Sequence, residues 1–313
     1  MPRTSSSPAD AATLDRAADI LRGGGIVAFP TETVYGLGAD AQNESAVVRV
    51  YAVKGRPLGH PVIVHLAGAE HIDTWASDVP ASARLLAQRF WPGPLTLVLR
   101  RSSRASDVVT GGQDTVALRT PSHPVAHQII ERFGGGVVAP SANRFGSPSA
   151  TLAEHVIADF DGAVDLVVDG GPATIGVEST IVDLAHGAPT ILRPGGVTIE
   201  ELQAALGLPV RIFGEGTVRV PGSLPSHYAP RASVELVGSD FEARALVKKL
   251  DAQGVRTSFI GSEDPERLAR ELYARFRAAD EEGAETIVVV LPQPAGLGIA
   301  LRDRLRRAAA SRD

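Results

Sequence analysis

GIVAFPTETVYGLGADA, residues Gly25 to Ala41, is the stretch on which the reading of the chain turns. Residues 25–30 form a short apolar run closed by proline, the signature of a buried strand. Gly36-Leu37-Gly38-Ala39-Asp40-Ala41 then matches G-x-G-x-x-A letter for letter. In a dinucleotide fold those glycines lead straight from a strand into a helix, and an acid about 20 residues on binds the ribose. Here the polar segment Thr31 to Tyr35 intervenes and no suitably placed acid follows, so that fold is excluded. No Walker A sequence occurs anywhere. Gly296-Leu297-Gly298 precedes a helical pattern, but G-x-G alone is a weak sign of an anion site.

Working outward, short runs rich in Val, Ile, Leu and Thr predict further strands at 61–66, 95–100, 115–119, 137–140, 166–169, 179–184 and 190–192. Helical periodicity fills 13–22, 44–53, 81–90, 124–133, 152–160 and 199–206. Thr151 with Glu154 and Thr198 with Glu201 have the spacing of capping boxes. So many strands among six helices predict a large, mixed, twisted open α/β sheet. From 207 to 231 the texture changes to proline and glycine without helical period, as in linkers and lids. Beyond it, strands at 233–237, 256–260 and 285–291 alternate with helices at 241–252, 265–279 and 298–309. That alternation predicts a small parallel three-layer, Rossmann-like domain. The expected organisation is a catalytic domain at 12–206, a lid-forming linker at 207–231 and a C-terminal α/β domain at 232–313. On this division the first domain is expected to fold without the last.

Composition narrows the function. The chain has 313 residues, 44% of them hydrophobic and 21% charged, as in ordinary globular proteins. It has no cysteine, which rules out disulfides, thiolate nucleophiles and cysteine-ligated metal sites. A net charge of -5 argues against a protein that coats nucleic acid. No apolar run reaches membrane-spanning length. The opening MPRTSSSPADAATLD has no hydrophobic core for a signal peptide and reads as a short disordered tail. The expected location is the cytoplasm.

Only three residues are lysine, and Lys54 is the single one before Lys248 and Lys249. An ammonium is a compact point charge where guanidinium is a planar fork, which makes Lys54 a candidate for a specific contact; coding bias explains it equally well. His60 and His65, five apart on the predicted strand, face opposite ways and cannot share a metal. His123 and His127 are four apart beside a helix, but with no third ligand nearby they read as cap or surface residues. No metal site is expected. There is no G-x-S-x-G elbow and no histidine placed as a serine's base, so nucleophilic hydrolysis is unsupported.

Six polar clusters remain at strand ends, where open α/β sheets bind ligands. They are Thr31 to Gly38, Lys54-Gly55-Arg56-Pro57, Arg119, Pro140-Ser141-Ala142-Asn143 with Ser147 and Ser149, Glu178-Ser179-Thr180, and Arg193-Pro194-Gly195. Singly, each has a structural explanation: hydroxyls cap and turn, and arginines pair with surface acids. Together they bring Lys54, Arg56, Arg119 and Arg193 and many hydroxyls into an acidic protein. Such a set suits a polyanion and a small polar molecule. Each charge-assisted bond contributes about 1.5–3 kcal/mol, enough for ATP without a P-loop.

FPTETVYGLGADA, KGRP with PVIVH, VALRTP, APSANRFGSPSAT, VESTIVDL and ILRPG, in this order over residues 12–205, resemble the YrdC-type threonylcarbamoyl-AMP synthases. The linker's Ser226-His227-Tyr228-Ala229-Pro230 and the C-terminal segment resemble the longer, two-domain subfamily. The resemblance implies a YrdC-like fold and a nucleotidyltransferase. It would take L-threonine, bicarbonate or CO2 and ATP to threonylcarbamoyl-AMP and pyrophosphate, for the threonylcarbamoyladenosine modification of tRNA. The implied threonine residues are Thr33, His65, Arg119, Ala139 and Ser179. Those implied for ATP are Lys54, Arg56, His60, Thr115, Ser141, Asn143, Ser149, Arg193 and the lid residue Tyr228. Lys54, Arg56 and Ser141 are the expected catalytic set. His60 stands where many relatives carry asparagine. Magnesium is expected with the nucleotide, held mostly by phosphates and water. The product is expected to pass to a tRNA threonylcarbamoyl-transferase complex, with at most weak RNA binding.

Two other readings compete. YrdC-type domains resemble proteins thought to bind double-stranded RNA, so a binding module without this chemistry is the alternative. The net charge and 5% aromatic content weigh against it. A carbamoyl-phosphate-using relative, as in hydrogenase maturation, would carry acylphosphatase and zinc-finger segments that a cysteine-free chain lacks.

Overall fold

The stretch that excludes a dinucleotide fold builds an antiparallel hairpin. The computed structural model describes residues 6–212, 219–222 and 227–310. Following β1 (Ser6–Pro8), the hairpin consists of β2 (Val27–Pro30) and β3 (Tyr35–Asp40), with Val27 opposite Gly38 and Pro30 opposite Tyr35. Sequence reasoning missed β3 because YGLGAD has two glycines and little apolar alternation. Its extended form comes from its neighbours: a side chain at Gly38 would lie 2.5 Å from the Phe29 ring, so the glycine makes room for Phe29 across the hairpin.

Eight more strands extend this sheet. They are β4 (Ile63–His65), β5 (Leu95–Arg100), β6 (Thr115–Arg119), β7 (Val137–Val138), β8 (Leu166–Asp169), β9 (Thr180–Asp183), β10 (Thr190–Arg193) and β11 (Arg211–Ile212). Their order, β1-β8-β2-β3-β7-β4-β6-β5-β9-β10-β11, mixes parallel and antiparallel pairs, as the expected mixed sheet requires. The helices are α1 (Ala11–Arg22), α2 (Glu44–Lys54), α3 (Ile72–Trp75), α4 (Ala81–Phe90), α5 (Asp107–Thr110), α6 (Pro124–Phe133), α7 (Ala153–Phe160) and α8 (Ile199–Leu206). Successive β2 residues enter different cores, as the strand period of two dictates. Val27 and Phe29 pack with Leu14 and Leu21 of α1 and Ile129 of α6, while Ala28 joins Val47 and Val50 of α2.

Three local expectations need correction. Residues 6–8 are no tail: Ser6 pairs with Val167 and Pro8 with Asp169 along β8. His60 is not on a strand; its N–H bonds the Pro57 carbonyl in a turn, and β4 begins only at Ile63. Thr151 forms no capping box, because α7 starts at Ala153 with Leu152 as cap, so Glu154 sits one place too early in the helix. The Thr151 N–H instead donates to His155 Nδ1 at 3.2 Å. The Thr198–Glu201 box is formed in full, and His123 caps α6 by accepting from the Val125 N–H.

The C-terminal segment forms a second, parallel sheet of β12 (Ser233–Val237), β13 (Thr257–Ile260) and β14 (Thr286–Val290), with β14 central. Ala243 of α9 (Asp240–Ala252) covers Val288 and Val290 on one face. Leu272 and Phe276 of α10 (Pro265–Glu281), with Leu301 and Leu305 of α11 (Leu297–Ala309), cover Ile287 and Val289 on the other. This is the expected three-layer arrangement. The second core also takes in Val34, Val177 and Tyr228, so it runs into the first sheet's loops. No helix among the described residues is long and apolar enough to cross a membrane.

Candidate active site

The β2–β3 turn sets the first wall. Thr31 Oγ1 donates to the Val34 carbonyl at 2.6 Å and accepts from the Thr33 and Val34 N–H groups, a hydroxyl-closed turn. The turn presents Thr33 to Arg119, whose Nη1 donates to Thr33 Oγ1 at 2.9 Å. Arg119 also donates from Nη2 to Glu32 at 2.7 Å and from Nε to the Gly93 carbonyl at 3.2 Å. Three of the five guanidinium N–H bonds are thereby committed, and each terminal nitrogen keeps one. Arg119 and His65 are partners in the β4–β6 register, side by side on one face. Burial, then the nearby Arg119 charge, pushes the His65 pKa down to about 3, so the imidazole is neutral.

Three further cations converge. Arg56 follows α2, donates from Nη2 to the Pro61 carbonyl at 2.8 Å, and lies 5.9 Å from the Phe145 ring. Arg193, at the end of β10, donates to the carbonyl of Ser179 from Nε and Nη2 and to that of Pro221 from Nη1 at 2.9 Å. Its Nη2 also reaches Ser179 Oγ, which is 2.8 Å from Thr96 Oγ1. Lys54 ends α2 and donates to the carbonyls of Ser141 and Asn143. Arg56, Arg193 and Lys54 are 7%, 4% and 2% exposed, and among the described residues none forms a salt bridge with a carboxylate. Burial first, and then mutual repulsion, lowers the pKa of Lys54 well below its ordinary value and brings that of Arg56 down to about 10.

A loop and the linker close the site. Asn143 pins the 141–149 loop through its amide to the carbonyls of Arg144 and Ser147. Ser149 Oγ donates to Glu178 at 2.6 Å. From the linker, Tyr228 enters with φ +62°, a left-handed conformation costing a side-chain-bearing residue roughly 1–2 kcal/mol. Its Oη abuts Gly222, where an added Cβ would lie only 2.1 Å away. His227 stacks edge-on against Tyr228 and Phe145. What remains between these walls is a cavity of about 40 Å³.

Of the residues singled out from sequence, Thr33, Arg56, His65, Arg119, Ala139, Ser141, Ser179, Arg193 and Tyr228 line this one cavity. Lys54, Asn143 and Ser149 stand behind it, holding the loop. Thr115, four residues before Arg119 on β6, is buried outside the lining, and His60 lies beyond it, edge-on to Phe145 at 5.8 Å. Sequence reasoning gave no role to Glu178 or His227, which also line the cavity. Both sit inside quoted motifs, so position beside Ser179 and Tyr228 was the available signal. Ser223 to Ser226 of the linker lie outside the described residues. A wider cavity, about 570 Å³, opens elsewhere against Trp75 and Trp91 and holds none of the four cations.

A family model of the Sua5/YciO/YrdC group, described as telomere recombination, matches residues 19–195. A second, described as the threonylcarbamoyl-AMP synthase C-terminal domain, matches residues 197–310. The threonylcarbamoyl-AMP synthase of Pyrococcus abyssi is 42% identical, with 95% of this chain and 94% of that one aligned. The Bacillus subtilis threonylcarbamoyl-AMP synthase is 39% identical over 95% of this chain and 93% of its own. The crystal structure of P. abyssi Sua5 complexed with L-threonine superposes with a TM-score of 0.92, at 41% identity, covering 96% of this chain and 95% of that one.

Proposed function

The chain belongs to the Sua5/YciO/YrdC family and is a two-domain threonylcarbamoyl-AMP synthase, and on that premise we propose that the pocket between β4, β6, β9 and the linker holds L-threonine and ATP side by side. The threonine amine, in its neutral form, attacks the carbon of CO2 and loses a proton to water, or attacks that of bicarbonate with loss of water, to give a carbamate. A carbamate oxygen then attacks the α-phosphorus, the bond to the β-phosphate breaks, and pyrophosphate leaves with the electron pair. No protein nucleophile is needed. The residues' tasks are to orient reactants and neutralise charge.

Thr33, His65, Arg119 and Ser179, with the backbone of Ala139, hold threonine. The two uncommitted N–H groups of Arg119 reach its carboxylate, and neutral His65 accepts or donates without adding charge. Arg56 and Arg193 take the phosphates, with Ser141 beside them. Lys54 and Asn143 shape the 141–149 loop from behind, Ser149 fixes Glu178, and Thr115 and His60 have outer places. Tyr228 covers the nucleotide. Ligand pockets are about 300–1,000 Å³, so ATP enters a 40 Å³ space only after His227 and Tyr228 move aside. Magnesium comes with the nucleotide, since its phosphates and water supply the hard oxygen ligands it favours. The product goes to a tRNA-modifying acyl transferase.

One observation carries the nucleotide reading: Arg56 and Arg193 line the pocket as buried cations, and among the described residues neither forms a salt bridge with a carboxylate. Buried charges are normally paired, so this set is built for an incoming polyanion. Arg56 Nε, His65 Nδ1, His227 Nδ1 and Tyr228 Oη, all on residues lining the cavity, are buried without hydrogen-bond partners among the described residues, a donor and acceptor set for a polar ligand. Cations this deeply buried do not meet a nucleic-acid duplex, which leaves the RNA-module reading without support. The test is pyrophosphate release from ATP, omitting threonine and bicarbonate in turn, with mass detection of threonylcarbamoyl-AMP. Release should require both, and Arg56→Ala should lower it by about 2–5 kcal/mol in kcat/KM. Release that needs neither substrate, or an Arg56→Ala enzyme as active as the parent, overturns the assignment.

A further inference from the structure

Glu178 collects hydrogen bonds from three parts of the chain. Ser149 Oγ donates to Oε1 at 2.6 Å, Tyr273 Oη to Oε2 at 2.9 Å, and Arg304 Nε to Oε2 at 2.7 Å. Tyr273 lies on α10 and Arg304 on α11, both in the C-terminal unit. Arg304 is fully buried, and its Nη2 also donates to the Pro194 carbonyl at 2.9 Å, next to Arg193. One turn after Tyr273, Arg277 donates to the Pro148 carbonyl at 2.6 Å and pairs with Asp159. The 141–149 loop, the 178–180 segment and the 193–195 turn are therefore each gripped from the second unit.

The same two side chains also receive the linker. The Tyr228 ring stacks on Tyr273, with centroids 5.7 Å apart and planes at 26°, and Arg304 Cζ lies 5.1 Å from its centre. Tyr273 and Arg304 thus touch Glu178 and Tyr228 at once, in the wall and in the cover of the pocket. A buried ion pair is an inefficient means of joining two units, because apolar side chains of similar volume hold as well or better. What it does supply is direction, since a carboxylate held by three donors has one orientation.

We propose that Arg304 and Tyr273 are positioning residues for the synthase reaction, fixing Glu178, and with it Ser149 and Ser179, while seating Tyr228 over the pocket. This rests on the pocket assignment above, and it gives the C-terminal unit a task in catalysis: setting the geometry of a site whose substrate contacts lie in the first unit. Moving Tyr228 aside for ATP unstacks it from Tyr273 but leaves Glu178 gripped, so the wall keeps its shape while the cover moves.

The decisive variants are Glu178→Gln/Arg304→Met, which removes both charges together, and Tyr273→Phe, which removes one hydroxyl and keeps the stacked ring. Both are measured by thermal melting and by separate kcat and KM values for ATP and threonine, with the threonylcarbamoyl-AMP formed per pyrophosphate released. Melting within a few degrees of the parent is expected. With it, kcat/KM for ATP should fall about 100-fold in the double variant, the cost of misplacing reactants by an ångström, and less product should form per pyrophosphate. Tyr273→Phe should fall about tenfold, as for one lost charge-assisted bond. A folded double variant with the parent's kcat and KM overturns the proposal. If the double variant does not fold, unchanged kinetics in Tyr273→Phe overturn it alone. Arg56→Ala, run alongside, reports on the pocket assignment separately.

Discussion

Single side chains in this pocket are sensitive to acid, the histidines through burial and Glu178 through its ion pair with Arg304. His65 and His227 are buried imidazoles whose pKa values are brought down to about 3, by burial first and then by neighbouring cations, with Glu178 opposing at His227. Burial would raise Glu178, but Arg304, Arg193 and the Ser149 bond bring it down to about 2. All three have folded values below their unfolded ones, so the unfolded chain binds more protons as pH falls. Stability present at neutral pH is therefore lost on acidification, from about 6.5 towards 3 for the histidines and from about 4.5 towards 2 for Glu178. His227→Gln should make the fall of unfolding free energy between pH 6.5 and 3 shallower by up to one proton, measured by denaturant titration at several pH values. An unchanged slope would mean that His227 is charged in the folded protein. Residues within strand-end motifs were legible before the structure, because a cation or hydroxyl at a strand end is unusual chemistry. Arg304 and Tyr273 were not. They sit in ordinary amphipathic helices, and nothing in their spacing marks them as facing Glu178.

At the scale of elements, most strands and helices follow from local pattern, and the failures have local causes. β3 is extended through its pairing with β2 and β7 and the room Gly38 gives Phe29, so a two-glycine segment gave no signal of its own. β1 is Ser-Ser-Pro, held only as an edge beside β8. The two capping-box spacings separate in an instructive way. At Thr198 the helix starts on the next residue and both bonds form; at Thr151 a later start leaves the carboxylate out of register. Thr198→Ala should therefore cost about 1 kcal/mol of stability, while Thr151→Ala should show no cap loss in the same chemical denaturation experiment. Equal cap-sized costs would mean that α7 starts earlier than Ala153.

At the scale of the molecule, the proline- and glycine-rich texture of 207–231 suggested two units able to fold apart, and the contacts between them change what removing one should do. Without 232–313, Glu178 loses Arg304 and Tyr273, Asp159 loses Arg277, and Val34 and Val177 lose their cover. Breaking a buried pair by removing one partner costs about 3–5 kcal/mol. The fragment 1–231 should melt far below the full chain and make little threonylcarbamoyl-AMP, as calorimetry and the product assay would show. A fragment with the full chain's melting temperature and turnover would prove the units independent. The pairing also has a consequence in time. Glu178 and Arg304 are 126 residues apart, and at roughly 5–20 residues per second Arg304 is made roughly 6–25 s after Glu178 has been joined to the growing chain. Through that interval the nascent first unit carries an acid whose guanidinium does not yet exist. The wall of its pocket reaches its final form only when α11 emerges from the ribosome and docks.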